Sequence, residues 1–145
     1  MNIKVNNCHS IHLKKIIDEK DGVLSVGEAM REIPFLIKRV YYIYDFFDQE
    51  SIRGLHAHKA LEQVLFCLGG KFSMHLDDGI NKETIQLDKP NYGLYLGPMV
   101  WHKMTHFSTN SIILVLCSDQ FKESDYIRDY KEFCTLVKSN DSTVA

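Results

Sequence analysis

The chain has 145 residues, 45% of them apolar and 25% charged, enough for one globular domain with its own core. A net charge of -2 offers no basic face to nucleic-acid phosphates, and no apolar run nears the roughly 20 residues that cross a bilayer. The opening MNIKVNNCHSIHLKK lacks the apolar stretch of a secretory signal, so a cytoplasmic protein is expected, with neither nucleic acid nor membrane as a partner.

In chain order, short apolar blocks bounded by turn residues predict strands over 12–17 (HLKKII), 23–27 (VLSVG), 36–46 (LIKRVYYIYDF), 54–58 (GLHAH) and 63–69 (QVLFCLG). Further strands are predicted over 71–77 (KFSMHLD), 82–88 (KETIQLD), 92–97 (YGLYLG), 100–107 (VWHKMTHF) and 111–118 (SIILVLCS). Asp21-Gly22, Gly69-Gly70 and Asp77-Asp78-Gly79 supply hairpin turns. Many close strands without intervening helices predict an antiparallel sandwich or barrel. From Ser124 the period changes. Tyr126, Ile127, Tyr130, Phe133 and Val137 fall on one helical face, with Ser124 as N-cap and Asp125 in the first turn. This helix is expected to pack its aromatic stripe against the barrel, with the final SNDSTVA fraying. Cys8, Cys67, Cys117 and Cys134 form no C-x-x-C pair and read as free structural thiols.

The chemistry concentrates in RGLHAHKALEQVLFCLGG, residues 53–70. On a strand, side chains two apart share a face, so His56 and His58 point the same way with Cα atoms about 7 Å apart. From there two imidazoles can converge on one metal ion or one substrate, or simply decorate an edge strand. Glu62 can join them only if the chain turns at Lys59-Ala60-Leu61. Arg39 and Tyr41 also share a face, and a later strand offers His102. Together they suggest a pocket wall. His9, His12, His75 and His106 read as structural or solvated.

The pattern H-x-H-x3-E-x6-G over 56–69 resembles the first motif of the cupin superfamily, whose fold is a small jelly-roll β-barrel. The second motif is reduced to YLGPMVWH, where Gly97-Pro98 reverses the usual order. In metal-binding cupins the positions of His56, His58, Glu62 and His102 would be the ligands, a set suited to zinc, iron, manganese or nickel. With IPFLIKRVYYIYD, HLDDG, GLYLGPMVWHKM and SDQFKESDYIRDY added, the chain from about Ile16 to Phe133 resembles the sugar 3,4-ketoisomerases. These act on dTDP-4-keto-6-deoxyglucose in the synthesis of 3-amino-3,6-dideoxy sugars.

The resemblance implies an all-β, cupin-type jelly-roll β-barrel with a C-terminal α-helix. It further implies a homodimer with exchanged N-terminal strands and a reaction without cofactor or metal. Moving a ketone from C4 to C3 requires removal of the C3 proton, an enediol or enediolate, and a proton returned to C4, so histidine suits the task. By resemblance His58 is the base, His56 its partner acid or carbonyl polariser, and Tyr41 a donor to the sugar. Arg39 and Arg53 would hold the diphosphate. Trp101 and His102 would line the pocket, a histidine at 102 favouring the galacto product. The family's Asp-x-Arg-Gly near the first hairpin is replaced by Glu19-Lys20-Asp21-Gly22. The alternatives are a metal-dependent cupin enzyme, a metal-free nucleotide-sugar epimerase and a non-catalytic sugar-binding cupin.

Overall fold

Inward apolar and outward polar residues alternate as a pleated ribbon requires: along Phe72–Asp77, Phe72, Met74 and Leu76 are buried while Ser73 and His75 lie half-buried. The computed structural model describes residues 1–142. Its strands are β1 (Cys8–His12), β2 (Lys14–Asp18), β3 (Gly22–Val26), β4 (Arg39–Ile43), β5 (Arg53–His58) and β6 (Gln63–Gly69). They continue with β7 (Phe72–Asp77), β8 (Lys82–Leu87), β9 (Tyr92–Leu96), β10 (Trp101–Thr105), β11 (Ile112–Cys117) and β12 (Tyr126–Ile127), before helix α1 (Tyr130–Ser142).

Two five-stranded antiparallel sheets form the body, ordered β1-β9-β6-β11-β4 and β12-β5-β10-β7-β8. Their main core joins Leu65, Leu94 and Val115 of the first sheet to Phe72, Met74 and Leu76 of the second. This is the expected all-β jelly-roll barrel with a C-terminal helix. The β2–β3 hairpin stands apart from both sheets, with Ile17 70% and Val23 61% exposed.

Element boundaries differ from expectation in three places. The strand expected over 12–17 breaks at Leu13, and β1 begins earlier, at Cys8, where it pairs with β9. The expected 36–46 strand shortens to β4. The largest change is at the helix. Its cap is Asp129, whose carboxylate accepts the Glu132 N–H at 2.8 Å, rather than Ser124. Ser124 sits in a single 3-10 turn over Glu123–Asp125, and Tyr126 and Ile127 form β12, paired with His58 and Ala57 of β5. Of SNDSTVA, residues 139–142 complete the helix and the rest lie outside the described residues. The expected packing against the barrel is present: Phe133 is buried with Ala57 and Ile127, beside Trp101. All four cysteines are free, and burial pushes the Cys8 thiol up to about 12 and the Cys67 thiol up to about 11. No helix among the described residues is long and apolar enough to cross a membrane.

Candidate active site

Strand alternation brings His56 and His58 to one face, and the register of β10 sets His102 opposite His56. The three rings cluster, with centroids 4.9 Å apart for His56–His58, 4.6 Å for His56–His102 and 5.9 Å for His58–His102. A bulge at Leu55 precedes them: Met104 pairs with Arg53, Lys103 with Gly54 and His102 with His56. Gly54 and Leu55 both adopt positive φ, 88° and 58°. Only glycine fits comfortably at 54, since a Cβ there would lie 2.8 Å from the His102 carbonyl oxygen.

Hydrogen bonds fix two of the three tautomers. The buried Nδ1 of His58 lies 3.1 Å from Asp125 Oδ2, so Nδ1–H donates to the carboxylate and Nε2 keeps its lone pair. That Nε2 is buried without a hydrogen-bond partner. His102 Nδ1–H donates to the Val100 carbonyl at 3.1 Å, leaving its Nε2 an acceptor. The buried Nδ1 of His56 has no partner. Unpaired polar atoms are uncommon in protein interiors, and two on one histidine cluster point to a ligand's polar groups.

The electrostatics keep these rings neutral. Burial, then the neighbouring His58, holds His56 down at about 4 against the pull of the Gly54 carbonyl. Burial, then His56, holds His102 at about 3. His58 is also lowered by burial, but the Asp125 carboxylate pulls it back up. An imidazole that is neutral near pH 7 yet has a carboxylate ready to stabilise its cation is suited to take a proton.

Asp125 also accepts the Ala60 N–H at 2.8 Å and the Leu61 N–H at 3.3 Å, fastening the chain just after β5. The next residue, Tyr126, lies against both histidines, its ring centroid 4.8 Å from His56 and 4.5 Å from His58. Sequence reasoning assigned Asp125 and Tyr126 to a helix and missed both. The available signal was SDQFKESDYIRDY itself, in which a polar turn precedes the apolar period.

Arg39 and Tyr41 enter from β4, the guanidinium 5.7 Å from the Tyr41 ring and 3.6 Å from Cys117 Sγ. Arg39 Nε is buried and unpartnered. The Tyr41 hydroxyl accepts a hydrogen bond from Gln63 Nε2 at 3.1 Å, and burial pushes it up to about 12. A cleft of about 590 Å³ is lined by Arg39, Asp125 and Tyr126, together with Lys38, Lys59 and Lys122. Arg53 is exposed at the start of β5, where it pairs with Met104 of β10.

One expected member, Trp101, is elsewhere, and so is Glu62, the carboxylate of the metal-cupin alternative. Trp101 precedes His102 on β10 and therefore points to the opposite face, where it packs on Tyr130 and Phe133 of the helix. Glu62 accepts the Tyr95 hydroxyl at 2.7 Å and orients no histidine. The three histidines offer ligand nitrogens within 4.8 Å of one another, a spacing that could hold an ion, but the carboxylate of the cupin metal set is not among them. Of the remaining histidines, His9 stacks on Tyr95 and His12 meets Tyr92 edge-on, while His75 and His106 bond Thr105, structural roles as expected.

Comparison with known proteins bears directly on this site. Residues 6–138 match the family model FdtA, described as WxcM-like, C-terminal. The chain is 51% identical over 123 residues to the TDP-4-oxo-6-deoxy-alpha-D-glucose-3,4-oxoisomerase of Aneurinibacillus thermoaerophilus, covering 85% of this chain and 87% of the relative. A 3,4-ketoisomerase from Helicobacter canadensis superposes with a TM-score of 0.86 at 43% identity, covering 91% of this chain and 98% of that one. The 3,4-ketoisomerase QdtA of Thermoanaerobacterium thermosaccharolyticum, a histidine-to-asparagine mutant in complex with TDP-4-keto-6-deoxyglucose, superposes at 0.89 with 40% identity, covering 93% and 96%.

Proposed function

The chain belongs to the FdtA family, and from that kinship we propose that it moves the ketone of dTDP-4-keto-6-deoxyglucose from C4 to C3 through an enediol or enediolate. The observation that carries this reading is buried His58 paired with the half-buried Asp125 beside two further neutral imidazoles. His58 Nε2 takes the C3 proton, which the adjacent carbonyl acidifies, and Asp125 stabilises the imidazolium that forms. His56, held neutral at about 4, polarises the C4 carbonyl as a hydrogen-bond donor rather than as a cationic acid. His102 accepts from a sugar hydroxyl through its free Nε2. Tyr41 supplies a further donor, and Arg39, with its unpaired Nε, binds the diphosphate together with Arg53.

Return of the proton by the same imidazole delivers it to C4 on the ring face from which it left C3. In the substrate that C3 hydrogen is axial, so same-face return leaves the C4 oxygen axial, the galacto product. The product then carries a C3 ketone, the functional group needed for 3-amino-3,6-dideoxy sugars of surface glycans. We further propose a cytoplasmic homodimer in which the exposed β2–β3 hairpin, with Ile16, Ile17, Val23 and Leu24, is covered by a second copy. Light scattering should give twice the chain mass; a monomer at micromolar concentration would remove that part of the reading.

Incubation with dTDP-4-keto-6-deoxyglucose in heavy water, followed by NMR, tests the activity. A C3 ketone at an undiminished rate in chelator is expected. Inverted centres with the ketone still at C4 would indicate an epimerase, and binding without change a non-catalytic module. Loss of the rate on chelation would indicate a metal enzyme.

A further inference from the structure

Isomerisation moves hydrogen between oxygens as well as between carbons. O4 must gain a proton while the C4 carbonyl becomes a hydroxyl, and O3 must lose one as C3 becomes the ketone. His58 accounts for the carbon-bound hydrogen alone. The other two rings are poor acids, because burial keeps them neutral and a neutral imidazole N–H is a weaker acid than a phenol.

One phenol lies against the imidazole pair. Tyr126 meets the rings of both His56 and His58, and it lines the cleft that Arg39 and Asp125 share. Three independent contacts fix it. Its backbone pairs with His58 in the β12–β5 ladder, Phe121 packs at 5.6 Å, and the Arg128 guanidinium lies 4.2 Å from its ring centroid. Arg128 is itself fixed by a two-point ion pair to Glu123, at 2.8 and 3.0 Å. Tyr41, the other nearby phenol, packs on the barrel core, already accepts from Gln63, and is made less acidic by burial.

We propose that Tyr126 is the acid–base residue for the sugar oxygens, passing its hydroxyl proton to O4 in the first half-reaction and taking a proton from O3 in the second. In the first half the C3–H bond breaks, its proton goes to His58 Nε2, and its electron pair forms the C3=C4 double bond. The C4=O π pair moves to O4, which takes the Tyr126 proton. In the second half the His58 imidazolium returns its proton to C4, the C3=C4 pair forming that bond. The O3–H pair becomes the C3=O π bond, and the O3 proton restores the phenol. Both residues finish as they began, so no redox partner or cofactor is consumed. Vicinal oxygens on one ring edge lie close enough for a single hydroxyl to serve both.

This inference rests on the ketoisomerase reading, and the experiment separates the two. Wild-type protein, Tyr126→Phe and Tyr41→Phe are incubated with dTDP-4-keto-6-deoxyglucose and followed by NMR, with thymidine diphosphate affinity measured for each. Tyr126→Phe should lower kcat on the order of 10²- to 10³-fold with diphosphate affinity within twofold, and Tyr41→Phe should lower it less. Tyr126→Phe within threefold of wild type would overturn the assignment to Tyr126, whereas a wild-type protein forming no C3 ketone would overturn the activity itself. Where Tyr126→Phe also loses nucleotide binding, 3-fluorotyrosine placed at position 126 decides. The alkaline limb of its kcat profile should move to lower pH, and an unmoved limb would overturn the assignment.

Discussion

A buried imidazole serves as a base only if one ring nitrogen keeps its lone pair, and at His58 the Asp125 carboxylate enforces that choice. Asp125→Asn leaves the shape but permits the other tautomer, so kcat should fall on the order of 10²-fold while thymidine diphosphate affinity holds, as the NMR assay and a binding titration would report. The same geometry sets the acid limb. Because burial lowers His58, kcat/KM should remain flat below pH 6.5 and decline only where the folded-state ring protonates. A decline centred at or above 6.5 would show that burial does not govern the base. At this scale the sequence was informative where alternation operates, bringing His56 and His58 together and Arg39 beside Tyr41. It misled at Trp101, whose neighbour His102 necessarily takes the opposite face. Asp125 was illegible as a partner because it is 67 residues from His58 and meets it only through the fold.

Between β5 and β10 the histidines depend on a bulge that places backbone against backbone at Gly54. Gly54→Ala would bring a Cβ to 2.8 Å from the His102 carbonyl oxygen at a φ of 88°. The strands must then separate where His56 faces His102. Both melting temperature and kcat/KM should fall, the latter at least tenfold on the usual cost of misplaced catalytic groups; retention of both would mean that the bulge does not hold the site. Most strands were legible because turn residues bracket apolar blocks, as Asp77-Asp78-Gly79 does between β7 and β8. The bulge was not, since an extra residue such as Leu55 leaves no compositional mark. The helix start was displaced for a different reason. Tyr126, Ile127, Tyr130 and Phe133 sit at helical spacing, so a two-residue strand followed by a helix capped at Asp129 imitates one longer helix.

Across the whole molecule, the same neutral histidines tie stability to pH. His56 and His102 titrate near 6.5 when unfolded but at about 4 and about 3 when folded, so below pH 6.5 the unfolded chain binds protons that the folded chain refuses. Stability should be fully present above pH 6.5 and fall as pH drops toward 4, by at most about 1.4 kcal/mol per pH unit for each histidine. Denaturant melts between pH 7 and 4.5 would measure this, and unchanged stability across that range would contradict burial of the uncharged rings. Fold class was legible at this scale because closely spaced strands leave few architectures, whereas the distant meeting of β12 with β5 was not. The most direct test of the whole account is the rate at which His58→Asn forms the C3 ketone from dTDP-4-keto-6-deoxyglucose. A fall of at least about 10³-fold with thymidine diphosphate affinity intact is predicted; turnover within tenfold of the unaltered protein would show that some other group moves the proton.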